Sequence, residues 1–224
     1  MEPLEHLTGQ LRHLSLEVPA GATEKLLRLL DELLRWNRTY NLTAIANPVE
    51  GIEKHLVDSL TLLPLLTGDE RLLDLGSGGG FPGLPLKIAR PGLSIVSVDS
   101  VAKKINFQRH AARLLGLRGF EPLHARAESL PERPGYTGGF DVVVSRAFAS
   151  LPFFASLALP CLQPRGRILA MKGAEGEREL AEAESELTAL GLFCTELRQL
   201  RLPASGALRC LLVLQRRQAG QHKM

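Results

Sequence analysis

The stretch Arg71–Lys87, "RLLDLGSGGGFPGLPLK", decides how the rest of the chain is read. Leucines surround Asp74 as far as Leu75, glycines then stand at 76, 78, 79, 80 and 83, and Pro82 and Pro85 are set among them. A short apolar run ended by turn residues predicts a buried strand, and Gly83 to Ala89 predicts a helix. The corner between a first strand and a first helix is where α/β sheets bind ligands. Glycine lets the backbone come close there, and the helix start offers unpaired N–H groups. A triphosphate-binding loop would need Gly-Lys-Ser or Gly-Lys-Thr at the helix start, where Leu84 and Pro85 follow Gly83. A dinucleotide fingerprint starting at Gly76 would need glycine at 81, where Phe81 stands. Neither phosphate reading fits.

Outward from this corner, strand-like and helix-like segments alternate. "LSIVSVD" (93–99), "FEPLHAR" (120–126), "FDVVVSR" (140–146) and "GRILAMK" (166–172) predict strands. Helices are predicted over 102–117, 151–162 and 176–191. Such alternation means a mostly parallel sheet with helices on both faces. The last two strand-like segments, 193–203 and 208–217, have only "ASGA" between them, which predicts an antiparallel hairpin at the sheet edge. The total is seven strands. Residues 1–66 read differently. Leucines at 26, 27, 30, 33 and 34 recur at helical spacing after Thr23, a suitable N-cap, and a second helix is predicted from Pro48 to Leu62. We therefore expect an N-terminal helical extension over 1–66, packed on a Rossmann-like domain over 67–224. The tail "QAGQHKM" is expected to fray.

Bulk properties set wide bounds. The 224 residues carry a formal charge of +3, with 45% hydrophobic and 23% charged residues, as in an ordinary globular protein. The mild basicity permits a nucleic-acid partner. No apolar run is long enough for a membrane span, so none is expected, and the polar start is not expected to act as a signal peptide. Cys161, Cys194 and Cys210 are odd in number and far apart, so disulfides and a metal site are not expected, and a reducing cytoplasm is.

The pattern that is present, Asp74-x-Gly76-x-Gly78-x-Gly80-x-x-Gly83, looks like the S-adenosylmethionine-binding turn of Rossmann-like class I methyltransferases. The chemistry suits the residues, because this ligand has a sulfonium cation and no phosphate, and no lysine is wanted beside it. Asp99 ends the second strand 23 residues after Gly76, where an acid can take ribose hydroxyls; capping the next helix is its other reading. Ala127 and Glu128 follow the third strand and are placed to flank an adenine, unless Glu128 is a solvated loop acid. Arg146 ends the fourth strand, facing the transfer site. A structural ion pair with Asp99 or Glu128 is its alternative role. Lys172, at the end of the neighbouring strand, is a second candidate for orienting a substrate.

"LDLGSGGGFPGLPL", "WNRTYNLTAI", "HLVDSL", "VVVSRA" and "MKG" occur in this chain in an order and spacing that together resemble the glucose-inhibited division protein B family, the bacterial 16S rRNA guanine-N7 methyltransferases G. The resemblance covers nearly the whole chain. It implies methyl transfer from S-adenosylmethionine to N7 of one guanine in the 530 loop of 16S rRNA, guanine 527 in usual rRNA numbering, with S-adenosylhomocysteine as product. The rRNA alone, the small ribosomal subunit or an assembly intermediate would be the partner. By similarity the cofactor contacts fall on Gly76, Phe81, Ala127, Glu128 and Arg146, to which the turn adds Gly78 and Asp99. A monomer is expected. A methyltransferase for a small molecule or protein, or a silent cofactor-binding RNA module, are the rival readings.

Guanine N7 has a lone pair and no proton, so transfer there needs approach and desolvation but no general base. The Asn/Asp-Pro-Pro-aromatic motif that serves exocyclic amines is absent after the fourth strand, where "SRAF" stands. Cys161 next to Pro160 hints at carbon methylation, but its place late in a helix favours a core cysteine. His55 and Asp58 share a helix face, and a structural role or a lid beside the cofactor mouth is favoured over catalysis. Trp36 is expected at the core or its rim. RNA contact is expected from spread charge at Lys103, Lys104, Arg109, Arg113, Arg126, Arg216 and Arg217.

Overall fold

The computed structural model describes residues 2–146 and 149–217, so the tail lies outside the described residues. Seven strands form one sheet: β1 (Arg71–Leu75), β2 (Ser94–Asp99), β3 (Phe120–His124), β4 (Phe140–Arg146), β5 (Leu162–Lys172), β6 (Leu192–Arg201) and β7 (Leu208–Arg216). Their order across the sheet is β3-β2-β1-β4-β5-β7-β6. Strands β1 to β5 pair in parallel, while β7 runs antiparallel to both β5 and β6. This is a Rossmann-like class I sheet with the terminal hairpin at its edge. Strand β1 lies between β2 and β4, where the chain reverses its direction of travel across the sheet. That switch point puts the glycine corner in the crevice at the strand ends.

Side chains alternate between the two faces. Leu72, Ile95 and Val142 point into one core with α4 (Gly83–Ala89) and α5 (Ala102–Leu115), while Leu73, Val96 and Val143 point into the other with α6 (Leu151–Ala158) and α7 (Gly176–Ala189). The period of two in the strands is what separates these cores.

The residues before β1 cover the first face. They form α1 (Pro3–His13), α2 (Ala22–Tyr40) and a helix over 48–60, α3, and Leu26, Leu33 and Leu56 share a core with Leu72. Each such buried leucine contributes roughly 1.5–3 kcal/mol. Two expectations are corrected here. Thr23 does not cap α2: the helix starts after Gly21, which holds a left-handed φ of 75°, so Thr23 already lies in the first turn and its hydroxyl bonds Glu24. The second helix is not one regular α-helix to Leu62. Asn47 caps it through the N–H groups of Val49 and Glu50, and after α-helical Pro48–Gly51 it widens to a π turn over Ile52–Val57 before α-helical Asp58–Leu60. From Gly51 to Leu60 every residue but Lys54 is buried, so tertiary contacts set its path. The Glu53 carboxylate accepts the N–H groups of Ala204 and Ser205 from the β6–β7 loop, and Asp58 pairs with Arg209 of β7 at 2.8 Å. Glu70 pairs with Arg167 of β5.

Candidate active site

Beyond Leu75 the backbone enters left-handed φ at Gly76 (68°), Gly78 (58°) and Gly80 (90°), a conformation costly for other residues. Space is also short, since a Cβ on Gly80 would meet Leu84 at 2.5 Å and one on Gly83 would meet Asp74 Oδ2 at 2.8 Å. Asp74 is fully buried, and its Oδ2 accepts the Gly83 N–H at 2.9 Å. Burial pushes its carboxyl up to about 7, against the pull of that N–H. Among the described residues its Oδ1 has no hydrogen-bond partner. The turn is stitched to its neighbours: Gln108 of α5 donates to Ser77 Oγ and to the Gly78 carbonyl, both at 2.8 Å, and Ser77 N–H donates to the Val98 carbonyl at 3.0 Å.

Two cavities open on either side of Gly76. The larger, about 440 Å³, is lined by Asp99, Lys104, Arg126, Ala127 and Glu128 among others. Asp99 Oδ2 accepts the Gly78 N–H and Oδ1 the Val101 N–H, each at 2.8 Å. A carboxylate has about four acceptor sites, so about two remain for hydroxyls in the cavity. The helix-side bond of Asp99 therefore leaves acceptor capacity facing the cavity. Lys104 Nζ stands 3.9 Å from the same carboxylate.

The smaller cavity, about 160 Å³, is lined by the glycines 76, 78 and 79 with Leu33, Thr43, His55, Phe81 and Arg146. Arg146 forms no ion pair with Asp99 or Glu128. Its guanidinium donates to the Lys54 carbonyl at 2.6 Å, lies 3.7 Å from Asp58, and is 5.6 Å from the centre of the Phe81 ring. Asp58 is thus shared between Arg146 and Arg209. His55 Nδ1 faces Arg146 Nη2 at 3.5 Å and must accept, which leaves Nε2–H to donate to Thr43 Oγ1 at 3.0 Å. Burial, then Arg146 and Lys54, push its pKa down to about 3, so the ring is neutral and stacks 4.7 Å from Phe81.

This wall explains motifs that name no chemistry by themselves. Asn37 Oδ1 accepts the N–H groups of Leu42 and Thr43 at 2.6 and 2.9 Å, folding "NLT" back over the cavity. Thr43, Gln108 and Arg209 were not singled out from sequence, and Lys104, read there as an RNA contact, lines the larger cavity. Only the Asn37–Thr43 spacing within "WNRTYNLT" carried a signal for any of them. The predicted residues Gly76, Asp99, Ala127 and Glu128 meet at the larger cavity, and Gly76, Gly78, Phe81 and Arg146 at the smaller. Lys172 stands apart: its ammonium is held by Glu179 at 2.8 Å and it lines neither cavity. Arg216 donates to the carbonyls of Leu159 and Leu162, and Arg217 to Thr188, so both brace the far side of the fold. Cys161 is fully buried, and burial pushes its thiol up to about 11.

Solved structures share the fold. A SAM-dependent methyltransferase from Aquifex aeolicus superposes with a TM-score of 0.54 at 18% identity, covering 70% of this chain and 89% of that one. TYW2 of M. jannaschii, in complex with AdoMet, superposes at 0.57 with 13% identity, covering 73% and 76%. Sequence relatives are much nearer. Ribosomal RNA small subunit methyltransferase G of Syntrophotalea carbinolica is 53% identical over 204 residues, 91% of this chain and 93% of that protein. Its namesake in Myxococcus xanthus is 46% identical over 204 residues, 91% and 92% of the two chains. The family model for rRNA small subunit methyltransferase G matches residues 22–204. The chain belongs to that family.

Proposed function

We propose that this rRNA methyltransferase takes its methyl group from S-adenosylmethionine and places it on N7 of guanine 527 in the 530 loop of 16S rRNA, without a general base. One observation carries the reading. The smaller cavity has two titratable side chains on its described lining, His55 and Arg146, and neither can take up a proton at neutral pH. An exocyclic amine must lose a proton on methylation, whereas guanine N7 has none to lose.

The larger cavity fits the nucleoside end of the cofactor, since Asp99 keeps acceptor capacity for two ribose hydroxyls and Ala127 and Glu128 border the same space. The backbone of Gly76 and Gly78, with Phe81 beside them, receives the amino-acid end in the smaller cavity. S-adenosylmethionine supplies a methyl group already activated on a cationic sulfur. The protein holds both partners, excludes water and adds no lysine on that side. Arg146 reaches from the end of β4 into this space, held by Asp58 and the Lys54 carbonyl, and there orients the guanine or the cofactor carboxylate. The test is mass spectrometry of 16S rRNA from cells with and without this gene. Loss of a single N7-methylguanine is expected, and unchanged rRNA would overturn the reading.

A further inference from the structure

We propose that the RNA beside the methylated base lies across the face formed by the end of α2 and the outer side of α5, with Tyr40 as a stacking platform and Lys103, Arg109 and Arg113 meeting phosphates. The inference rests on rRNA being the substrate, and says which surface receives it.

Helix α5, "AKKINFQRHAARLL", contains no acidic residue. Its exposed polar positions Lys103, Asn106, Arg109 and Arg113 follow one another at intervals of three or four, which makes a single stripe. Lys103 and Arg113 are ten residues apart, about 15 Å along the helix. Among the described residues none of these three cations pairs with a carboxylate, whereas Arg178 on α7 is engaged by Glu175 and Glu182. The stripe ends at a shallow cavity of about 380 Å³, where Arg109, Arg113 and Arg118 stand around Leu117, Phe120 and Pro122. An apolar floor ringed by guanidinium groups suits a nucleotide, with the base on the floor and the phosphate at the rim.

Tyr40 supplies the other end. It is 46% exposed, as much as Phe153, and one flank is braced by Trp36 at 5.3 Å. Trp36 is in turn packed on Phe107 and His110 of α5. The pairs Glu32–His110 and Trp36–Phe107 show that α2 runs antiparallel to α5, which brings Tyr40 toward the first turn of α5 and Lys103. Two and three residues beyond Tyr40, Leu42 and Thr43 line the smaller cavity. The platform therefore adjoins the site of transfer, and cations lead away from it along α5.

The test uses small ribosomal subunits from cells lacking the gene, with binding measured across a salt series. The triple variant Lys103→Glu, Arg109→Glu, Arg113→Glu is expected to bind more than about 100-fold more weakly, with a slope of log affinity against log salt reduced by about two. Tyr40→Ala is expected to lose about tenfold with an unchanged slope, and Tyr40→Phe to restore it. Arg178→Glu is expected to bind as wild type does. Calorimetry with S-adenosylmethionine must give wild-type affinity for every variant, which separates docking from misfolding. Wild-type affinity and slope in the triple variant would overturn the proposal. So would lost binding to subunits with intact binding to protein-free 16S rRNA, which would assign the face to a ribosomal protein. Methylation of a base other than guanine by the wild-type protein would remove the guanine reading and leave this surface standing.

Discussion

Two helices of 14 residues flank the two ends of the same sheet, α5 beside β3 and α7 beside β6, and their exposed faces are opposite in charge. Helix α5 has Lys103, Lys104, Arg109 and Arg113 and no acid; α7 has Glu177, Glu179, Glu182, Glu184 and Glu186 against one arginine. Both bury an apolar stripe, Ile105, Phe107 and Ala111 in one, Ala183 and Leu187 in the other. Packing decides that each is a helix against a sheet. The sign of the exposed charge matters little for folding, because solvated charges contribute little to stability, and so it is free to orient the molecule toward a polyanion. The cavities follow the same division. The space beside α5 holds Asp99 at the glycine corner, while the cavity of about 370 Å³ between α7 and β6 is built on Leu180, Leu187, Leu192, Phe193 and Leu197 with Glu177 and Glu184 on its lining.

A matched pair of substitutions separates the two edges. Asp99→Ala is expected to weaken S-adenosylmethionine binding by about 100-fold or more, since hydrogen bonds to a charged group are lost. Glu184→Ala beside α7 is expected to change nothing in the same calorimetric titration. Equal losses would mean that the edges are not distinct. A second pair lies on adjacent strands: Arg146→Ala is expected to lower single-turnover methylation about 100-fold, whereas Lys172→Ala, which breaks the ion pair with Glu179 and a hydrogen bond to the Ala149 carbonyl, is expected to cost stability with turnover held within about twofold.

Between the edges, Asp74 reports on the glycine corner itself. Its carboxyl sits near 7 in the folded protein against an ordinary value of 3.8, so the native state binds the proton more tightly than the unfolded chain. Its contribution to stability is present below about 4 and is lost as pH rises toward about 7, by a few kcal/mol in order of magnitude. Denaturant titrations of wild type minus Asp74→Asn should show that decline across the window. A difference that is flat or rises with pH would contradict it. The smallest expected effect is on the acidic side. Glu182→Lys with Glu186→Lys should raise non-specific rRNA affinity severalfold at low salt and leave methylation unchanged. A filter-binding series in salt would measure it.

Much of this was legible in the chain, for physical reasons that can be named. Strand β4 is a run of valines that starts after the turn residues Gly138 and Gly139, and its expected limits 140–146 coincide with those observed. The glycine corner is local chemistry, and Asp74, Gly76 and Gly83 carry it within ten residues. Asp99 and the Ala127–Glu128 pair follow from strand order, because every parallel strand ends on the same side of the sheet. What sequence did not show depends on contacts between distant segments. The π turn at Ile52–Val57 is set by burial under the β6–β7 loop, and Asp58 finds Arg209 across 151 residues. Gln108 looks like any polar residue of an amphipathic helix until it reaches Ser77 and Gly78. Lys172 shows the converse, since the end of a strand is a suitable address for a site residue, but Glu179, seven residues on in the next helix, holds it elsewhere.

Base-free transfer to guanine N7 fixes which nucleoside carries the new methyl group. Purified protein is incubated with methyl-labelled S-adenosylmethionine and small subunits from cells lacking the gene, and the labelled nucleoside is identified after digestion of the 16S rRNA. Label is expected in 7-methylguanosine alone, mapped to the 530 loop, and about 100-fold more slowly with Arg146→Ala. Label on an exocyclic amine, on a ring carbon or on another nucleoside would contradict it.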